Sequence, residues 1–114
     1  MIPHGELQAC VDRMQGVVEH VSNHLAGLTE TGGRISTELL DQRQDAVYQL
    51  AFLGAEAAMA APLVEDAAFG ANESLIAGIA LADLVRSARN RLDGRRQLLG
   101  VDDDLREGAC DAVL

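Results

Sequence analysis

Gly54-Ala55-Glu56-Ala57-Ala58-Met59-Ala60-Ala61 and Ala77-Gly78-Ile79-Ala80-Leu81-Ala82 decide the fold of this chain. Both stretches sit in longer apolar segments and keep their side chains small. Ala is the best helix former, and small side chains let two helix backbones come close. Neither stretch holds a reactive group apart from Glu56. The pattern is one of packing and not of catalysis.

The rest of the composition agrees. Among 114 residues there are 18 Ala and 16 Leu, but the aromatics are only Tyr48, Phe52 and Phe69. β-branched residues are too few and too scattered for a sheet. The expectation is an all-α domain spanning 1–114, an antiparallel bundle of three long helices plus a short C-terminal helix. A chain of this length buries roughly two thirds of its unfolded surface, enough for a core.

Outward from the Ala-rich centre, helices are predicted over about 6–28, 37–61, 72–99 and 105–113. In the first, Leu7, Val11, Met14, Val18, Val21, Leu25 and Leu28 recur in steps of four and three, a sustained apolar seam. Cys10 and Val17 widen it. Gly32-Gly33 is expected to stop this helix, because Gly adopts left-handed backbone readily. Ser36 is the expected cap of the second helix, with Ile35 and Leu40 placed to staple its start. Pro62 should end or sharply bend that helix. Asn72 or Ser74 could cap the third. It is apolar nearly all round from Leu75 to Val85, which marks it as the expected central helix. Asp102-Asp103-Asp104 would cap the last.

Charge and motifs exclude several functions. The net charge is −9, and all nine cationic side chains are Arg. So acidic a chain is poorly suited to a nucleic-acid surface or an anionic membrane. The window Ala46 to Val64 is interrupted by Gln49 and Glu56 and reads as a buried helix, not a membrane span. No basic-then-apolar leader opens the sequence, so a cytoplasmic location is expected. Cys10 and Cys110 match neither a zinc spacing nor a redox pair, and free thiols are expected.

Three polar groups stand out. His20 and His24 share a helical face, but the Glu-x-x-His pattern of di-iron bundles is absent, and no metal ligand is assigned. Asp83 lies inside the apolar run of the third helix. A buried lone carboxylate costs several kcal/mol, so a partner is required, with Arg86, Arg43 and Arg89 as candidates. The run Arg86, Arg89, Arg91, Arg95 and Arg96 could, with Asp83, cradle a small ligand or an anionic group. It also suits a solvated helix end. No catalytic, cofactor-binding or metal residue is assigned.

One further pattern concerns order along the chain. Gly32-Gly33-Arg34-Ile35 is followed by Leu40-Asp41-Gln42-Arg43-Gln44-Asp45-Ala46-Val47-Tyr48-Gln49-Leu50-Ala51. Phe69-Gly70, Ala80-Leu81-Ala82-Asp83-Leu84, Leu92-Asp93-Gly94-Arg95-Arg96 and Gly100-Val101 come next. This order resembles an N-terminal helical segment of bacterial acyl-CoA dehydrogenase-like flavoproteins, over a little more than half of the chain. The resemblance implies a family that binds FAD and oxidises acyl thioesters at the α,β bond. In that family the flavin is held by a middle β-domain and later helices, and the base lies in the C-terminal part. No counterpart of either is found here, so no family catalytic residue is placed on this sequence. The implied role is a non-catalytic helical module that docks on a flavoprotein subunit carrying FAD, or pairs with itself as a homodimer. Activity would need the partner.

Overall fold

The computed structural model describes residues 3–102 and is mostly helical (83%). Its elements are α1 (His4–Thr29), β1 (Glu30–Thr31), β2 (Arg34–Ile35), α2 (Thr37–Gln42), α3 (Gln44–Ala67), α4 (Ala71–Asp93) and α5 (Arg96–Leu99). The all-α expectation holds at this level. The helix predicted over 105–113 lies outside the described residues.

The apolar seam of α1 is buried as its spacing requires: Leu7, Val11, Met14, Val21 and Leu25 all face inward. Cys10 and Val17 are buried with them, while Leu28 at the far end is 36% exposed. Thr29 closes the helix with its hydroxyl donating to the Leu25 carbonyl at 2.8 Å. Gly32 and Gly33 do not stop α1. They take φ values of +60° and +81° and form the two-residue turn between β1 and β2. Positive φ at both central positions is what the twist of a tight hairpin demands. Ser36 does cap α2, accepting from the Leu39 N–H at 3.3 Å. Ile35 stays 52% exposed, so the expected staple does not bury it.

Three boundaries differ from the sequence expectation. The predicted second helix breaks at Arg43 (φ −118°, ψ 28°) into α2 and α3. Pro62 does not end α3, which continues to Ala67. Pro62 and Ala58 are both exposed, so the break in the hydrogen-bond ladder falls on the solvent side of the helix, while Val64 and Ala67 beyond it are buried. That burial holds the helix on its course past the missing hydrogen bond. The predicted third helix is likewise split, since α4 ends at Asp93 and α5 starts at Arg96. Neither Asn72 nor Ser74 caps α4; Gly70 occupies the cap position and Ser74 is buried.

The central helix is α3 rather than α4. It packs along α1 on one side and α4 on the other, whereas α1 and α4 touch only slightly. Two adjoining clusters make the core. Leu7, Cys10, Val11 and Met14 meet Ala57, Ala60, Val64, Ala77, Leu81 and Val85. Val17, Val21 and Leu25 meet Ala46, Leu53, Ala88, Leu92, Leu99 and Val101, and Val18 packs against both clusters. A fully buried Leu in such a cluster contributes about 1.5–3 kcal/mol. Cys10 within it is disulfide-bonded, which corrects the free-thiol expectation; Cys110 lies outside the described residues.

Because Pro62 is solvent-facing and interrupts an otherwise continuous helix, Pro62→Ala restores a backbone hydrogen bond without changing the core. The expected result is a gain of about 1–3 kcal/mol, read as a higher urea midpoint with an unchanged m-value.

Candidate functional site

The surface between α3 and α4 collects nearly all the chemistry the chain displays. Helical spacing places Ala46, Gln49, Leu53, Glu56, Ala60 and Ala67 of α3 on its inward side. Gln49 and Glu56, seven residues apart, are the polar members of that side. Arg91 of α4 serves both. Its Nε donates to Glu56 Oε1, and another guanidinium nitrogen donates to Gln49 Oε1 at 3.3 Å. The guanidinium also lies 4.4 Å from the centre of the Phe52 ring, a favourable cation–π geometry. Glu56 is only 5% exposed. A carboxylate so placed is tolerable only with a charged partner, and Arg91 supplies it.

Above this pair runs an open groove of about 460 Å³, lined by Gln49, Asp83, Arg86, Ser87, Asn90, Arg91 and Arg95. The structure thus brings Asp83 together with part of the Arg86–Arg96 cluster, as the ligand-binding expectation required. Asp83, however, is not buried. Its side chain is 72% exposed and pairs with Arg86 at 2.9 Å. The expectation of a costly carboxylate in an apolar helix is therefore corrected: α4 is apolar on both its inner and outer sides, and Asp83 belongs to the outer one. The other guanidiniums are also matched. Arg95 meets Asp45 at 3.3 Å and Arg96 meets Asp93 at 3.8 Å. With its arginines individually compensated, the groove keeps little positive potential for an anion.

His20 and His24 are not arranged as a metal pair. His20 Nε2 lies 2.7 Å from the Gly100 carbonyl oxygen, and the His24 ring presses against the Gly100 backbone. Together they seat the turn after α5. Among the described residues no group of three or more His, Cys, Asp and Glu side chains is placed to hold a metal ion.

The outer side of the same two helices is apolar. Tyr48, Phe52 and Met59 follow one stripe of α3, and Ile76 and Ile79 follow one stripe of α4 that continues into Asp83 and Asn90. Ile76 is 62% exposed, Met59 54% and Phe69, in the connecting loop, 81%. Phe52 lies under Arg91, which lines the groove with Asp83, so the two stripes border one face. Helix α3 is also long and apolar enough to cross a membrane by length and composition, with a mean hydropathy of 1.4 over its most apolar window.

Two features escaped the sequence reading. Glu56 reads there as an interruption of an Ala run. The signal that it is a buried partner was its seven-residue spacing from Gln49 on the side that also carries Leu53 and Ala60. The contact of His20 and His24 with Gly100 has no local signal, since it spans about eighty positions.

In comparisons with family models, with curated proteins and with solved structures, the chain matches none.

Two outcomes follow from this geometry. Arg91→Leu strands a buried carboxylate and should cost about 3 kcal/mol in urea unfolding, while the double change with Glu56→Leu recovers most of that loss. Gly100 has φ +71°, and a Cβ there would lie 2.5 Å from the His24 ring. Gly100→Ala should lower stability by about 2–4 kcal/mol, and His24→Ala in the same chain should relieve the steric part, leaving about 1 kcal/mol for the left-handed backbone.

Proposed function

We propose that the chain is a non-catalytic helical docking module, folded as an antiparallel bundle of α1, α3 and α4, that acts by seating another protein surface on the outer face of α3 and α4. The observation that carries this reading is the exposed set Phe52, Met59, Ile76 and Ile79 on adjoining helices. Single exposed apolar residues are ordinary, but several large ones on neighbouring helices beside a charged groove point to an interaction site. The occupant is a partner subunit or a second copy of the chain. The resemblance in residue order favours an acyl-CoA dehydrogenase-like flavoprotein as the partner, with FAD held by that subunit and any turnover belonging to the complex. The sequence-based expectation of a cytoplasmic location stands against the disulfide at Cys10, a bond that favours an oxidising compartment. In this reading α3 is a core helix and not a membrane span, because Gln49 and Glu56 on its inward side are bonded to Arg91 and both its flanks are packed.

The groove beside Asp83 leaves a second reading, a small helical bundle binding a small ligand or an anionic group through Asp83 and the Arg86–Arg96 cluster, which would have to compete with the existing ion pairs of Arg86, Arg91 and Arg95. Inorganic phosphate separates the two: a rise in melting temperature that Arg86→Ala abolishes favours the ligand site.

The docking reading is tested by capture from native lysate with the tagged chain, followed by mass spectrometry and a visible absorption spectrum of the bound fraction. A flavin-carrying acyl-CoA dehydrogenase-like subunit, or the untagged chain itself, is the expected catch. Ile76→Lys/Ile79→Lys should abolish capture with helical circular dichroism unchanged. Capture that survives this variant overturns the docking face.

A further inference from the structure

Cys10 is a redox-active group in the core that the docking reading leaves unused. It is fully buried in the cluster that also holds Leu7, Ala60, Val64 and Leu81. It is disulfide-bonded, and the sequence offers one other cysteine, Cys110. Before reaching Cys110 the chain returns to α1. The Gly100 carbonyl oxygen lies 2.7 Å from His20 Nε2, and the Gly100 backbone meets the His24 ring. Val101 is buried in the cluster of Val17, Val21 and Leu25. His20 and His24 stand ten and fourteen residues beyond Cys10, which is about 15–21 Å along a helix that rises about 1.5 Å per residue. From Gly100 the chain takes ten residues to reach Cys110, a reach of about 15 Å as helix and about 33 Å fully extended. The distance back to Cys10 falls within that range. At about 3.6 residues per turn, Cys10, Arg13, Val17, His20 and His24 lie within about 80° of one another around α1. Both anchor points therefore share one side of the helix.

We infer that Cys10 is bonded to Cys110 of the same chain, and that this bond straps the C-terminal segment back along α1 as a redox-operated latch. The strap runs antiparallel to α1, from the His20–His24 seat at Gly100 to Cys10. It is closed where disulfides form and open where thiols are kept reduced. A second copy cannot easily supply the bond, because the Cys10 sulfur lies inside its own core, whereas the seat at Gly100 delivers the chain's own C-terminal segment to the right side of α1. Closing a loop that encloses nearly the whole chain constrains the unfolded state strongly. Opening is a two-electron step. A dithiol reductant supplies two electrons and two protons, the S–S bond breaks into two thiols, and the dithiol becomes a disulfide. The attacking thiolate must reach a sulfur atom, and that of Cys10 is sealed by its neighbours, so attack falls on the Cys110 sulfur and Cys10 departs as the thiolate. A thiolate expelled among Leu7, Ala60 and Leu81 is disfavoured. The folded chain therefore reduces slowly, and the latch is set by the compartment in which the chain resides.

The test begins with the full chain equilibrated with oxidised glutathione, alkylated in urea and digested with trypsin without reductant. Mass spectrometry should find the peptide 1–13, which holds Cys10, joined to the peptide 107–114, which holds Cys110, from an intact protein of monomer mass. Two alkylated cysteines, glutathione adducts or a covalent dimer overturn the pairing. The strap is tested in the folded chain by the rate of tryptic cleavage after Arg106. That rate should rise about tenfold or more on reduction with dithiothreitol, because a segment held at both ends opens less often to a protease. Cys110→Ser should cleave at the reduced rate whether or not dithiothreitol is present, and should share the lower melting temperature of the reduced wild type. An Arg106 cleavage rate indifferent to the bond overturns the strap, as does a melting temperature that dithiothreitol lowers equally in Cys110→Ser.

Discussion

Everything in this molecule depends on α3 being narrow enough to be shared. A helix that must meet α1 along one side and α4 along another has little room for bulk, and half of its buried positions are Ala: Ala46, Ala57, Ala60 and Ala67 stand with Gln49, Leu53, Glu56 and Val64. Ala57 and Ala60 let Leu7, Val11, Leu81 and Val85 reach across it into one core. The larger side chains are supplied by the outer helices, so the volume is made up from both flanks. The same economy of size explains the near absence of aromatics inside: Tyr48, Phe52 and Phe69 are all found on the outside.

Close approach also governs the polar groups. Once α3 and α4 are in contact, Glu56 loses its water, and only a cation on the facing helix can replace it. Arg91 does so while also bonding Gln49 and covering Phe52. Apolar packing between smooth Ala-rich surfaces constrains sliding weakly, because many registers bury similar area. A charge pair between α3 and α4 adds one position at which the fit is complete. The Glu56–Arg91 pair is a contact of that kind, while the Ala, Leu and Val contacts supply most of the free energy. At the other end of the domain the contacts of His20 and His24 with Gly100 perform a comparable placement, tying the turn after α5 to α1.

The outer face is where function is proposed, and it was legible only in part. That α4 carried apolar residues all round was plain from Leu75 to Val85. The inference from this to a helix surrounded by neighbours was wrong, because periodicity tells how many sides of a helix are apolar and not how many are covered. Ile76 and Ile79 belong to the uncovered side. The reading of Asp83 failed for the same reason: a carboxylate among apolar residues is costly only if that side is buried, and here it faces solvent beside Arg86. The Arg cluster was visible as a group, and its pairs Arg86–Asp83 and Arg96–Asp93 lie three residues apart, but the pairing of Arg91 with Glu56 and of Arg95 with Asp45 depends on how α3 and α4 lie together.

Local physics therefore settled what could be settled from neighbours along the chain. The 3.5-residue seam of α1, the Ser36 cap, the Ala-rich character of the central segments and the all-α class all follow from interactions within a few positions, and the sequence determined them by itself. The hairpin turn at Gly32-Gly33 belongs with them in kind, although the same glycines suit a helix stop equally well. Only the tertiary structure decided which helix is central, that α3 runs on through Pro62, that Glu56 faces Arg91, and which apolar stripe is left open. Each of these is a choice between local states of similar energy. Burial against a distant segment is what tips that choice, and the identity of that segment is not written in any one stretch of the chain.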